Sequence, residues 1–155
     1  MSTQPTQNQT QTQVAVTSVK VASFEINEDK VPTQGENFQI SFDLQHQINL
    51  DQKQYGLLLT VNYWHTEQSN SALKIQVQNG FTVSNLEDFV KKEGNDMQVN
   101  MPQQLMGMLL DISMHHSRAL IADYTTNTKL ETSYLPLINP LEMLQQMQPQ
   151  QAWFI

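Results

Sequence analysis

The stretch "PQQLMGMLLDISMHHSRALIADYT", Pro102 to Thr125, is where the hydrophobic repeat of this chain lengthens from two residues to between three and four. A repeat of two sends alternate side chains to opposite faces of a strand, and the longer repeat lines them up along a helix. Pro102 sits at the first turn of the expected helix, where its missing N–H costs nothing. Leu105, Leu109, Ile112 and Ala119 form one apolar stripe, and Met106, Leu110, Met114 and Ile121 form its neighbour. So wide an apolar surface is more than one sheet can cover. A second copy of the chain is therefore expected to meet Met106, Leu110, Met114 and Ile121.

Upstream of this helix the chain reads as strands. Val14, Val16, Val19, Val21, Phe24 and Ile26 make a long first strand whose alternation slips twice, as bulges would make it. Phe38, Ile40, Phe42 and Leu44 then alternate with Gln39, Ser41, Asp43 and Gln45. A third strand carries Tyr55, Leu57, Leu59, Val61 and Tyr63, and a fourth carries Leu73, Ile75, Val77, Phe81 and Val83. Four consecutive strands predict an antiparallel meander with one wet face and one face that needs an apolar cover from later in the chain. The segment "NLEDFVKKEGND", Asn85 to Asp96, reads as a helical turn broken at Gly94.

Downstream, "TNTKLETSYLPLINP" links the long helix to a short one. Asn139 followed by Pro140 reads as an N-cap and first helical position. The short helix runs to about Met147, with Leu141, Met143, Leu144 and Met147 as its apolar residues, and Pro149 stops it. The expected fold is α+β: a four-stranded antiparallel sheet followed by a long and a short helix packed on one face. Residues 14–148 form this domain, residues 1–13 a disordered Gln/Thr-rich tail, and residues 149–155 an apolar C-terminal tail.

The totals narrow the function. A chain of 155 residues accommodates one domain, and without cysteine it has neither disulfides nor a thiolate site. Its net charge is −7 and Arg118 is its only arginine, so it is ill suited to gripping the phosphates of a nucleic acid. No apolar run nears the roughly 20 residues of a membrane helix, and the opening residues lack a secretion signal. A soluble, cytoplasmic protein without a cofactor is expected. Glutamine, 22 of the 155 residues, supplies a polar surface that avoids charge.

An enzyme reading rests on Asp111, Ser113, His115, His116, Ser117 and Asp123. Adjacent histidines on a helix diverge by about 100° and cannot chelate one ion together. Asp111 and His115, four residues apart, share a face but lack a third ligand. A serine on a helix also lacks the sharp elbow and oxyanion donors of acyl transfer. Neither a catalytic nor a metal site is expected.

Local strings within this order of elements resemble the SecB family of bacterial export chaperones. "SFEINE" (Ser23 to Glu28) is similar to the family's "SFEAPN", and "FQISFDL" (Phe38 to Leu44) to its alternating second strand. "KIQVQNGFTV" (Lys74 to Val83) resembles a strand ending "EVQQGG" and continuing "IFSI". "LPLINPLEML" (Leu135 to Leu144) resembles the "LNLAPVNFDALF" that leads into the last helix. The resemblance implies a holdase that captures unfolded or precursor polypeptides in apolar grooves and passes them to the SecA motor. It also implies a dimer of dimers, paired through first-strand residues such as Val19 and Val21 and through the long helices. Of the acidic patch that docks the motor, Glu25 is kept, while Val21, Lys74 and Gln76 replace the acid, leucine and acid expected, and "QPQQAWFI" replaces the zinc-binding tail.

Holding many sequences weakly calls for adaptable apolar surface, which methionine provides. Seven of the eight methionines, Met97, Met101, Met106, Met108, Met114, Met143 and Met147, fall in the helical third. The expected client groove has Phe38, Ile40, Phe42 and Leu44 as its floor and Leu141, Met143, Leu144 and Met147 as a movable wall. Two other occupations are open: a SecB-like chaperone dedicated to one partner, such as an antitoxin, or an apolar small-molecule binder. The tail residues Trp153, Phe154 and Ile155 plug the groove, dock on a partner or pack on the sheet.

Overall fold

The computed structural model describes residues 11–30, 38–65, 71–131, 135–146 and 153–154, the side chains of Lys30, Phe38, His65, Gln146, Trp153 and Phe154 excepted. Residues 1–10 of the predicted N-terminal tail, and Met147, Pro149 and Ile155, lie outside the described residues. Four long strands come first: β1 (Val14–Ile26), β2 (Phe38–Asn49), β3 (Gln54–His65) and β4 (Ser71–Val83). A 3-10 turn at Leu86–Phe89 leads into a hairpin of β5 (Val90–Glu93) and β6 (Asp96–Val99). The helices α1 (Gln103–Tyr124) and α2 (Pro140–Gln146) follow, and β7 (Trp153–Phe154) ends the described chain.

The long strands form an antiparallel sheet in the order β1-β4-β3-β2, with β7 added beside β2 in parallel. The register of β1 on β4 shifts between Val16 and Ser18 and again between Val21 and Ser23. These are the two slips in the hydrophobic alternation. Each extra residue restores the next apolar pair to the same face, so Val14, Val21, Phe24 and Ile26 all pack against the core.

On the covered face, β3 contributes Tyr55, Leu57, Leu59, Val61 and Tyr63, and β4 contributes Leu73, Ile75, Val77, Phe81 and Val83, all buried. Helix α1 closes this face with Leu109, Leu110, Met114 and Ile121. At its C-terminal end Tyr124 stacks on Phe24 of β1, ring centroids 5.0 Å apart. Polar residues also enter the core, Asn79 among them: it donates to the carbonyls of Leu57 and Val77, both at 3.2 Å, and its Oδ1 lies 2.7 Å from His116 Nδ1 on α1. Satisfying both ends of that amide removes the desolvation penalty that an unpaired buried group carries.

The opposite face is polar. Ser23 donates to Gln76 Oε1 (2.9 Å), Gln76 Nε2 donates to Thr60 Oγ1 (3.3 Å), and Gln78 Nε2 donates to Gln47 Oε1 (2.8 Å). Glutamine thus cross-links strands on the wet face without adding charge, with Gln78 and Gln47 reaching across β3 from β4 to β2.

Two local readings are corrected. The segment from Asn85 to Asp96 holds a 3-10 turn and then a strand pair, with Glu93 opposite Asp96 across Gly94 and Asn95. Gly94 takes φ +62°, the left-handed conformation that a two-residue hairpin loop requires and glycine adopts without steric cost. The second correction concerns the long helix: Leu110, Met114 and Ile121, expected to meet a second copy, are buried inside this chain. The sheet reaches residues of both stripes, Leu109 on one and Leu110, Met114 and Ile121 on the other, because α1 passes over β3 and β4 and reaches β1 at Phe24.

Candidate functional site

The segment from Leu135 to Gln146 is a strap laid along α1. Pro136 and Pro140 lack the N–H groups that would extend a helix backward or recruit the segment into a sheet. Helix α2 starts where the second proline permits: Asn139 Oδ1 accepts from the Leu141 N–H (3.0 Å), and the Asn139 carbonyl accepts from the Met143 N–H (3.1 Å). The predicted N-cap and first position are thereby observed.

Two contacts fix the strap to α1. Arg118 donates through Nε to the Leu135 carbonyl and through Nη2 to the Pro136 carbonyl, both at 3.1 Å. At the other end Leu141 lies over Gly107, where an added Cβ would come within 2.9 Å of Leu141 Cδ2. From residue 118 back to residue 107 a helix travels about 16 Å at 1.5 Å per residue, a span that five extended residues cover. The strap therefore runs antiparallel to α1, extended first and helical afterwards.

This geometry sorts the predicted groove residues. Leu44 and Met143 are each 5% exposed and closed into the core. Ile40, Phe42 and Leu144 are half-buried and pack against it. Leu141 is 40% exposed. Phe38's side chain and Met147 fall outside the described residues. Of the predicted interface residues, Val19 is 40% exposed on the edge strand β1, while Val21 and Met106 are half-buried. Tyr55 Oη donates to Met106 Sδ at 3.5 Å and also pairs with His46 Nδ1. Glu25 is exposed and faces Lys74 in the register of β1 on β4.

Two of the exposed apolar residues, Leu137 and Met108, stand outside the predicted groove and interface sets. Leu137, between the prolines, is 85% exposed, and Met108, next to Gly107, is 43% exposed. Both carried a signal. Met108 belongs to neither apolar stripe of α1, and an apolar residue in a segment without periodicity has no face to turn inward. With Leu141 they place three large apolar side chains on the strap and the helix beneath it.

Among the described residues the titratable groups show no convergent site. Asp111 Oδ2 lies 3.8 Å from His115 Nε2 on the exposed side of α1, while His116 turns inward to Asn79. Burial lowers the His116 pKa, with a further contribution from neighbouring His115, and burial also lowers that of His46. Burial raises the Tyr55 hydroxyl well above its usual range. Among the described residues no three His, Asp or Glu side chains are placed to hold one ion, and no helix is long and apolar enough to cross a membrane.

No protein-family model matches the sequence, and no curated protein matches it by sequence. The chain superposes on the SecB-like chaperone Rv1957 of Mycobacterium tuberculosis, solved in complex with a ChAD peptide from the Rv1956 HigA1 antitoxin, with a TM-score of 0.54. The fold is SecB-like. The match covers 81% of this chain and 89% of that one at 12% identity, so topology is shared while the side chains have diverged. The four-stranded antiparallel sheet β1-β4-β3-β2, the long helix and the short helix match a SecB-like fold.

Proposed function

We propose that this protein is a SecB-like holding chaperone that binds non-native polypeptide on the apolar strap surface of Leu137, Leu141 and Met108. The observation that carries this reading is Leu137: a leucine 85% exposed, held between two prolines on a strap pinned by Arg118. Scattered exposed apolar residues are ordinary, but here Leu141 lies over Gly107, and Met108 is the next residue along α1. Half-buried Leu144, Ile40 and Phe42 extend the proposed surface where the strap moves aside.

The magnitudes suit capture with release. Covering one such side chain gives roughly 1.5–3 kcal/mol before ordering costs, so three or four reach about micromolar binding. A homotetramer would multiply the contacts through multivalency. The long edge strand β1, with Val16 and Val19 exposed, is the surface proposed for the first pairing. Coupling to a SecA-type motor has only Glu25 behind it.

The test is suppression of aggregation of reduced, denatured α-lactalbumin. The protein is expected to suppress it at near-stoichiometric ratio, and the double variant Leu137→Ser, Met108→Gln to lose suppression with its melting temperature nearly unchanged. No suppression by either protein, or equal suppression by both, refutes the reading. A dedicated antitoxin partner is the second reading, favoured by the antitoxin peptide bound to the structural neighbour. One stoichiometric protein co-purifying from the native host would select it over a mixed population of clients.

A further inference from the structure

The C-terminal residues of the chain sit on the outer edge of β2. Trp153 and Phe154 pair in parallel with Gln47 and Ile48, making β7 the fifth strand of the sheet. A strand at the edge of a sheet presents backbone N–H and C=O groups in a row, ready to pair with any extended chain. β7 is two residues long and β2 twelve, so most of the β2 edge has no described strand beside it. The covered end is also the best anchored: Ile48 is fully buried, and the His46, Tyr55 and Met106 contact lies beside it.

We propose that this edge is a strand-addition site for an extended, uncharged, aromatic-rich polypeptide segment, and that the chain's own Trp153–Phe154 occupies it in competition with such a segment. The occupant defines the chemistry. Residues 147–155, "MQPQQAWFI", carry no charged side chain and end on two aromatic residues and an isoleucine. Backbone pairing supplies affinity without regard to sequence, and apolar side chains add preference. The same strand β2 bears Ile40 and Phe42, so a client segment that begins on the β2 edge runs along the floor of the proposed groove. A tail tethered shortly after α2 has an effective concentration of about millimolar. A weak segment is then excluded, and one that engages many sites wins. The inference rests on the holdase reading for the identity of the competitor but not for the edge site itself.

The experiment compares the full chain with a version ending at Ala152, using a fluorescein-labelled peptide of residues 150–155, "QQAWFI". The truncated chain is expected to bind the peptide at least tenfold more tightly than the full chain. A peptide N-methylated at both the Trp153 and Phe154 positions is expected to bind at least tenfold more weakly than the unmodified one. Equal binding to the two chains, or none to either, overturns the edge site, and equal binding of the methylated peptide overturns strand addition. Reduced, denatured α-lactalbumin is titrated in parallel. Tighter binding to the truncated chain supports the competition, and identical binding to both refutes it. Absence of α-lactalbumin binding to both chains overturns the holdase reading and with it the competition, while the peptide still decides the edge.

Discussion

Replacing Arg118 with methionine is expected to loosen the strap without unfolding the sheet. Methionine keeps most of the aliphatic stem and removes the donors to the Leu135 and Pro136 carbonyls. A hydrogen bond from a charged donor contributes about 1.5–3 kcal/mol when well shielded. Arg118 is partly exposed and the released carbonyls can take up water, so the pair is worth about 1–2 kcal/mol to strap docking. That is about a 5- to 30-fold rise in the open population. Native-state hydrogen exchange reads it directly, because the Leu141 and Met143 amides are bonded within the strap to Asn139. Both amides are expected to lose protection by that factor in Arg118→Met, while amides in β3 and β4 keep theirs, since local and global openings differ in free energy. Unchanged protection at Leu141 and Met143 refutes the clamp. Equal loss in the strap and the central strands refutes the strap as an independent unit.

Two further outcomes follow from the same geometry. Met143 is buried, so Met143→Ala is expected to cost about 2–5 kcal/mol of stability, at the lower end if the short helix settles into the space; an unchanged urea midpoint would place Met143 outside the core. The pKa values of His46 and His116 are lowered by burial, so below about pH 6.5 the unfolded chain takes up more protons than the folded one and stability falls as the pH is lowered. The urea midpoint is expected to be lower at pH 5.5 than at pH 7.5, with a smaller difference in His46→Gln, and a midpoint that rises on acidification contradicts it.

Periodicity carried most of the fold. The two-residue repeat located all four long strands, and its slips between Val16 and Ser18 and between Val21 and Ser23 marked both bulges, because a buried face brings the apolar residues that follow back into phase. Asn139 and Pro140 located the start of α2 because cap chemistry is local. The β5–β6 hairpin escaped notice because Lys91, Lys92 and Glu93 are exposed and Met97 only half-buried, leaving little alternation to read beyond the Gly94–Asn95 loop. The candidate site was legible in outline: the strap was singled out, and Leu141 and Leu144 are on it. Which of its residues point outward depends on Arg118 and Gly107, contacts between segments distant in sequence that no local pattern encodes. For the same reason the two helix stripes suggested a second copy, whereas Leu110, Met114 and Ile121 are enclosed by the sheet of their own chain.

The measurement that bears most directly on the strap as a polypeptide-binding surface is a methyl NMR titration of the intact protein with reduced, denatured α-lactalbumin. Saturable shifts at Leu137, Leu141 and Met108, with Leu57 and Leu59 in the sheet unmoved, are the expected result. No binding at about 100 μM, or shifts that spare the strap and fall elsewhere, would contradict it.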